Sequence, residues 1–163
     1  MVTELSILAA QPFLRGMPGA QLAELAGACQ HVTVPAGQRL FDEGSPAGGF
    51  WIIDAGRVVL DATVPGQGRV VIESLGRGDV IGLSWMLPPY QWRFGAVTSQ
   101  PMQAFAFDAA PVRAACSADP VLGYELGRRF SAVVVRRLQA TRARLIEHAA
   151  NPTTSAESGM THV

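Results

Sequence analysis

The chain has 163 residues, a size that fits one domain with a short tail. Hydrophobic residues make up 48% and charged residues 16%, which excludes a disordered chain and supplies enough apolar surface for one core. Thirteen Arg balance thirteen acids with no Lys at all, so the formal net charge is zero, and a general nucleic-acid binder, basic over a whole face, is not expected.

Residues 1–30 carry apolar positions at helical spacing, Leu5, Leu8 and Ala9, then Leu22, Leu25 and Ala26. Gly16 and Pro18 interrupt them, and Met17-Pro18-Gly19-Ala20-Gln21 predicts a turn into a second short helix. Between 31 and 107 the texture changes to short β-rich runs at 31–34, 39–41, 50–53, 57–63, 69–75, 95–98 and 103–107. Turn chemistry separates them, as in Pro35-Ala36-Gly37, Asp54-Ala55-Gly56 and Gly76-Arg77-Gly78-Asp79. Such spacing predicts an antiparallel sandwich or barrel. From 108 the chain is helical again, with Asp119 as a helix cap and Pro120 at the first helical position. A long helix then runs to 148, with an apolar seam of Leu126, Phe130, Val134, Leu138, Thr141 and Leu145 at steps of three or four residues. A small barrel cannot cover so long a stripe, so part of it is expected to pack on a second copy as a parallel homodimer. Residues 149–163 read as a disordered tail, leaving 1–148 as the folded domain.

Charge divides along the same map. Residues 1–120 hold seven Arg and ten acids, whereas 121–148 hold six Arg and two Glu. The pairs Arg128-Arg129 and Arg136-Arg137 read as the solvated face opposite the seam rather than as a nucleic-acid contact. Cys29 and Cys116 are too few for a disulfide scaffold or a zinc site and read as reduced, buried thiols. No run approaches the roughly 18 apolar residues of a membrane span, and the N-terminus lacks the charged and apolar regions of a signal peptide, so a cytoplasmic protein is expected. His31, His148 and His162 are scattered, without HxH or HExxH spacing, and GxSxG and P-loop patterns are absent. The reading is of a non-enzyme with no catalytic residue, no metal and no resident cofactor.

Helices, a glycine-punctuated β-roll and a long dimerising helix form the order seen in cyclic nucleotide-binding domains, and five segments strengthen the resemblance. Pro12-Phe13-Leu14 with Leu22 and Leu25 resembles the family's N-terminal helix, and Pro35-Ala36-Gly37-Gln38-Arg39-Leu40-Phe41-Asp42-Glu43-Gly44 is similar to its first hairpin. Phe50-Trp51-Ile52-Ile53-Asp54-Ala55-Gly56-Arg57-Val58 resembles its second, and Gly76-Arg77-Gly78-Asp79-Val80-Ile81-Gly82 the approach to its phosphate-binding cassette. Arg93 stands where the family places the Arg that pairs with the cyclic phosphate. The resemblance covers about residues 10–147. It implies a mainly β fold with flanking α, a double-stranded β-helix or jelly-roll-like β-roll, with helices over 1–30, the roll over 31–107 and C-terminal helices over 108–148. It also implies a catabolite-activator-like sensor domain whose ligand-binding residues are Gly82, Leu83, Ser84, Arg93 and Phe94, with Gly82-Leu83-Ser84 opening a short helix and Pro88-Pro89 ending it. A helix N-terminus and a guanidinium together suit an anion.

Two departures bear on the ligand. The family's Glu after the cassette glycine accepts from the ribose 2′-hydroxyl. Leu83 cannot, and an unpaired buried hydroxyl costs roughly 1–3 kcal/mol. After Arg93 the family has a small residue, and here Phe94-Gly95 follows. Trp85, Tyr90, Trp92 and Phe94 crowd this segment although aromatics are 7% of the chain. They read as filling the mouth of the barrel, or as remodelling its pocket for a flatter, less polar ligand. Relatives with DNA-binding output carry a further helical module after the long helix, and about fifteen residues follow it here, so direct DNA binding is not expected and output is assigned to a partner protein. Two functions follow. One is a stand-alone dimeric regulatory domain that binds a small anionic ligand such as cAMP or cGMP. The other is a degenerate interaction module, or a sensor of a more apolar ligand.

Overall fold

The computed structural model describes residues 4–151. Two short helices, α1 (Glu4–Ala9) and α2 (Gly19–Ala26), flank a 3-10 turn at Pro12–Leu14. Of the apolar positions read at helical spacing, Leu8, Leu22 and Leu25 are buried, joined by Phe13, Leu14 and Met17 between the helices, whereas Leu5 is exposed because α1 turns only one residue of its six fully into the core. Eight strands follow: β1 (Cys29–Val34), β2 (Arg39–Phe41), β3 (Gly49–Ala55), β4 (Val58–Val64), β5 (Gly68–Leu75), β6 (Val80–Ile81), β7 (Gly95–Thr98) and β8 (Met102–Asp108). Seven match the predicted runs to within two residues at each end. β6 is the addition, two residues long inside the stretch read as the approach to the cassette.

The strands form two four-stranded antiparallel sheets, ordered β1-β8-β3-β6 and β2-β7-β4-β5. Alternation along the strands puts Ile53, Val58, Leu60, Leu75, Ile81, Ala96, Met102 and Ala104 into one core between the sheets. The opposite face of the first sheet carries Phe50, Ile52, Phe105 and Phe107, also buried. Phe50 stacks on Phe107 with ring centroids 4.5 Å apart and on Trp85 at 4.9 Å. Helix α2 lies against β1, and α3 (Ala109–Ala118) against β3 and β8. This is the mainly β roll with flanking helices that the sequence implies.

Polar ties fix the edges of the roll. Gln11 Nε2 donates to Asp54 Oδ1 at 3.2 Å, and His31 Nε2 lies 3.5 Å from Asp54 Oδ2, which fastens the N-terminal segment to the end of β3. Arg39 grips Asp61 through two hydrogen bonds of 3.1 and 2.6 Å, joining β2 to β4 across β7. Helix α4 (Pro120–Ala150) begins as its sequence predicts, Asp119 Oδ1 accepting from the N–H groups of Val121 and Leu122 at 3.1 and 3.3 Å. It ends two residues beyond the expected 148, so 149 and 150 belong to the helix rather than to the expected disordered tail. The rest of that tail, 152–163, lies outside the described residues.

The chain divides into two compact units, one up to Leu126 and one from Gly127. Leu122 and Leu126 are buried in the first. In the second, Phe130 of the predicted seam is buried, whereas Val134, Leu138 and Leu145 are 47%, 46% and 67% exposed.

Candidate functional site

Residues 82–94 link β6 to β7 and hold the residues expected from the sequence to meet a ligand. Gly82 follows β6 with φ of +99°, a left-handed conformation that glycine adopts without steric cost. It also has no room for a side chain: a Cβ would sit 2.9 Å from Trp92 Cη2 and 3.0 Å from the Gly49 carbonyl oxygen. The indole of Trp92 thus closes over Gly82, and the two ends of the segment meet.

The expected cassette helix does not form. Residues 84–89 are turns and bends, so no helix N-terminus faces the site. Three causes are local. Pro88 and Pro89 remove two donors a helix would need. Trp85, 1% exposed, draws the chain down onto Phe50. The main chain of 90–92 bonds instead to the loop after β2, with Ala47 donating to the Tyr90 carbonyl at 2.7 Å, Gly44 to the Trp92 carbonyl at 2.7 Å, and Trp92 to the Ser45 carbonyl at 2.9 Å. From below, Arg113 of α3 donates to the Trp85 carbonyl at 2.7 Å and lays its guanidinium 4.4 Å from the Tyr90 ring centroid.

The predicted ligand residues are therefore presented by a pinned loop. Gly82 is buried, Leu83 and Ser84 are half-buried, and Arg93 and Phe94 are exposed, Phe94 at 45%. Trp92 turns inward and Arg93 outward. Among the described residues nothing pairs with the Arg93 guanidinium, and no backbone group accepts from the N–H of Leu83 or Ser84. A guanidinium, two main-chain N–H groups and the Ser84 hydroxyl are all donors, which suits an anion. No acidic side chain stands at position 83 to accept a ligand hydroxyl.

Sequence reasoning missed three features. Arg113 lies 28 residues along the chain from Trp85, whose carbonyl it holds. The Arg39–Asp61 pair crosses a strand that only the register reveals. A groove of about 430 Å³ opens where the ends of β2 and β8 meet the start of β3, walled by Phe41, Trp51 and Trp92. Of the aromatic cluster singled out in the sequence, only Trp92 lines it; Trp85, Tyr90 and Phe94 do not.

The sequence model of the cyclic nucleotide-binding domain matches residues 31–119, more than half of the chain. The chain belongs to the cyclic nucleotide-binding domain family. Solved structures agree on the fold. A putative cyclic nucleotide-binding protein from Geobacter metallireducens is 23% identical, with a TM-score of 0.76 over 83% of this chain and 98% of its own. A cyclic nucleotide-binding domain from Methylobacillus flagellatus is 21% identical, with a TM-score of 0.75 over 94% of this chain and 83% of its own. The regulatory domain of Toxoplasma gondii PKA, solved with cAMP, is 15% identical, with a TM-score of 0.64 over 83% of this chain and 48% of its own. No curated protein matches the chain. Within the family, this member has Leu83, Phe94 and a helix-free 82–94 segment. No helix among the described residues is long and apolar enough to cross a membrane.

Proposed function

We propose that this domain is a cytoplasmic, non-enzymatic regulator that reads a small anionic ligand, with cAMP and cGMP as first candidates, through Arg93, Ser84 and the main-chain N–H groups of Leu83 and Ser84. The observation that carries this reading is the unpartnered guanidinium of Arg93, at the position where the resemblance in sequence puts the family's phosphate-binding Arg. An Arg without an internal partner keeps its bidentate donor pair available for a phosphate. Leu83 removes the ribose acceptor, so the phosphate supplies most of the recognition and discrimination among nucleotides is weak. The response passes along α4, whose exposed Val134, Leu138 and Leu145 suit packing on a second copy, and from the dimer to a partner protein.

A second reading has its own support. Trp92 lies against Gly82, and the loop is tied by main-chain bonds on one side and by Arg113 on the other, as in a domain that holds its shape without a ligand.

A thermal-shift titration with cAMP, cGMP, cyclic dinucleotides and AMP separates the two. A ligand at a hundred times its Kd stabilises the native state by roughly 2.7 kcal/mol, an easily read rise in Tm. The expected outcome is a rise with a cyclic nucleotide that disappears in Arg93→Ala. No rise with any of them, with variant and parent melting alike, leaves the interaction module or a sensor of another ligand.

A further inference from the structure

The groove between the ends of β2 and β8 and the start of β3 has a chemistry opposite to that of the 82–94 segment. Its wall is aromatic and continuous: Phe41 stacks on Trp92 with centroids 3.9 Å apart and planes 14° from parallel, and on Trp51 at 5.7 Å and 22°. Its volume of about 430 Å³ falls within the roughly 300–1,000 Å³ of small-molecule sites. Its charged lining is acidic, Asp42 and Asp108, with neither Arg nor His among the lining residues.

The two carboxylates differ. Asp42 lies 3.5 Å from Arg39 Nε and 3.6 Å from Arg69 Nη2, so its charge is largely answered. Asp108 is not answered. It stands at the N-cap of α3, where an Asp side chain ordinarily accepts from the first-turn N–H groups, and it makes no such bond. Among the described residues its carboxylate has no partner. An unanswered carboxylate beside a stacked aromatic wall repels phosphate and attracts a cation, and the wall offers apolar contact to an ammonium whose weak hydration makes it easy to strip of water.

We propose that this groove binds a small organic ammonium, its alkylated nitrogen against Phe41, Trp51 and Trp92 and its charge facing Asp108. The proposal is independent of the anion reading, since it uses a different set of polar groups and the opposite ligand charge. Trp92 is common to the groove wall and to the 82–94 segment, so an occupant would rest on the residue that packs over Gly82.

The test follows the indole N–H resonances of the three tryptophans by NMR while choline is added, with 3,3-dimethyl-1-butanol as its uncharged isostere. Expected are saturable shifts of Trp51 and Trp92 with choline, an unmoved Trp85, and little response to the isostere. Asp108→Asn, at an exposed position that caps nothing, weakens choline binding by about fivefold. Arg93→Ala leaves it unchanged, which separates this site from the proposed anion site. Indole signals that stay fixed, equal shifts with the isostere, or equal affinity in Asp108→Asn would each overturn the proposal.

Discussion

A methyl group at position 95 would collide with the Asp61 carboxylate and the Arg39 guanidinium, which explains why glycine follows Phe94 in this chain. The ion pair fills the space above β7 that a side chain would take. Asp61 is only 7% exposed, and the two-point grip of Arg39 holds its carboxyl below the usual range against the opposing effect of burial. Gly95→Ala is expected to destabilise the fold by about 1–3 kcal/mol in urea denaturation, and by less in an Asp61→Ala background, where the carboxylate is gone and the Arg39 guanidinium, released from its partner, can swing aside. The pH dependence has a definite sign. Because the folded-state pKa of Asp61 is depressed, its contribution is complete above the ordinary carboxylate value of about 4 and fades as pH falls through the lower folded-state value. Asp61→Asn should therefore flatten the acid limb of a stability–pH curve, and an unchanged limb would contradict this account. Cys29 illustrates the opposite displacement: burial and then Glu4 push its thiol up to about 11, so it stays protonated and unreactive near neutrality. The sequence reads both thiols as buried, whereas Cys29 and Cys116 are only half-buried. The partnership of Arg39 with Asp61 was not legible there, because it depends on β2 and β4 both pairing with β7.

Elements with strong periodicity were legible and the segment between β6 and β7 was not. Alternating apolar residues and glycine turns located seven strands because each strand has one face in the core and its boundaries are set by turn chemistry. Asp119 and Pro120 located the start of α4 because capping is local. The cassette helix expected from Gly82-Leu83-Ser84 fails for tertiary reasons: the pull of Phe50 on Trp85 and the bonding of 90–92 to the loop at 44–47 outweigh any weak local helical preference. Arg113 belongs to this scale, since one side chain of α3 holds two points of the loop. Arg113→Ala should raise amide hydrogen exchange across 82–92 by tenfold or so while exchange in β3 and β8 stays near the parent's, as loss of one charge-assisted bond and one cation–π contact would give. Equal exchange in the loop of variant and parent would mean that the main-chain bonds suffice.

At the scale of the whole molecule, the order of helices, roll and long helix carried the family resemblance, because topology depends on the sequence of element types more than on any one residue. What the long helix does was legible only as a pattern. Leu126 is buried as the seam requires, and Val134, Leu138 and Leu145 present apolar surface to solvent in the single chain. A homodimer is expected in sedimentation at micromolar concentration, and a Val134→Glu, Leu138→Glu variant should sediment as a folded monomer with unchanged circular dichroism. A parent that sediments as a monomer would remove the dimer from the proposal. The pairing of β1 with β8 has a consequence of another kind. Cys29 finds its partner only at Phe107, and β3 likewise pairs with β8, from Gly49 to Asp108. During synthesis at about 5–20 residues per second, the first strand leaves the ribosome on the order of ten seconds before the strand that will cover it. For that interval the ladder of the first sheet is open, and the nascent chain depends on whatever shields an unpaired strand until Asp108 has emerged.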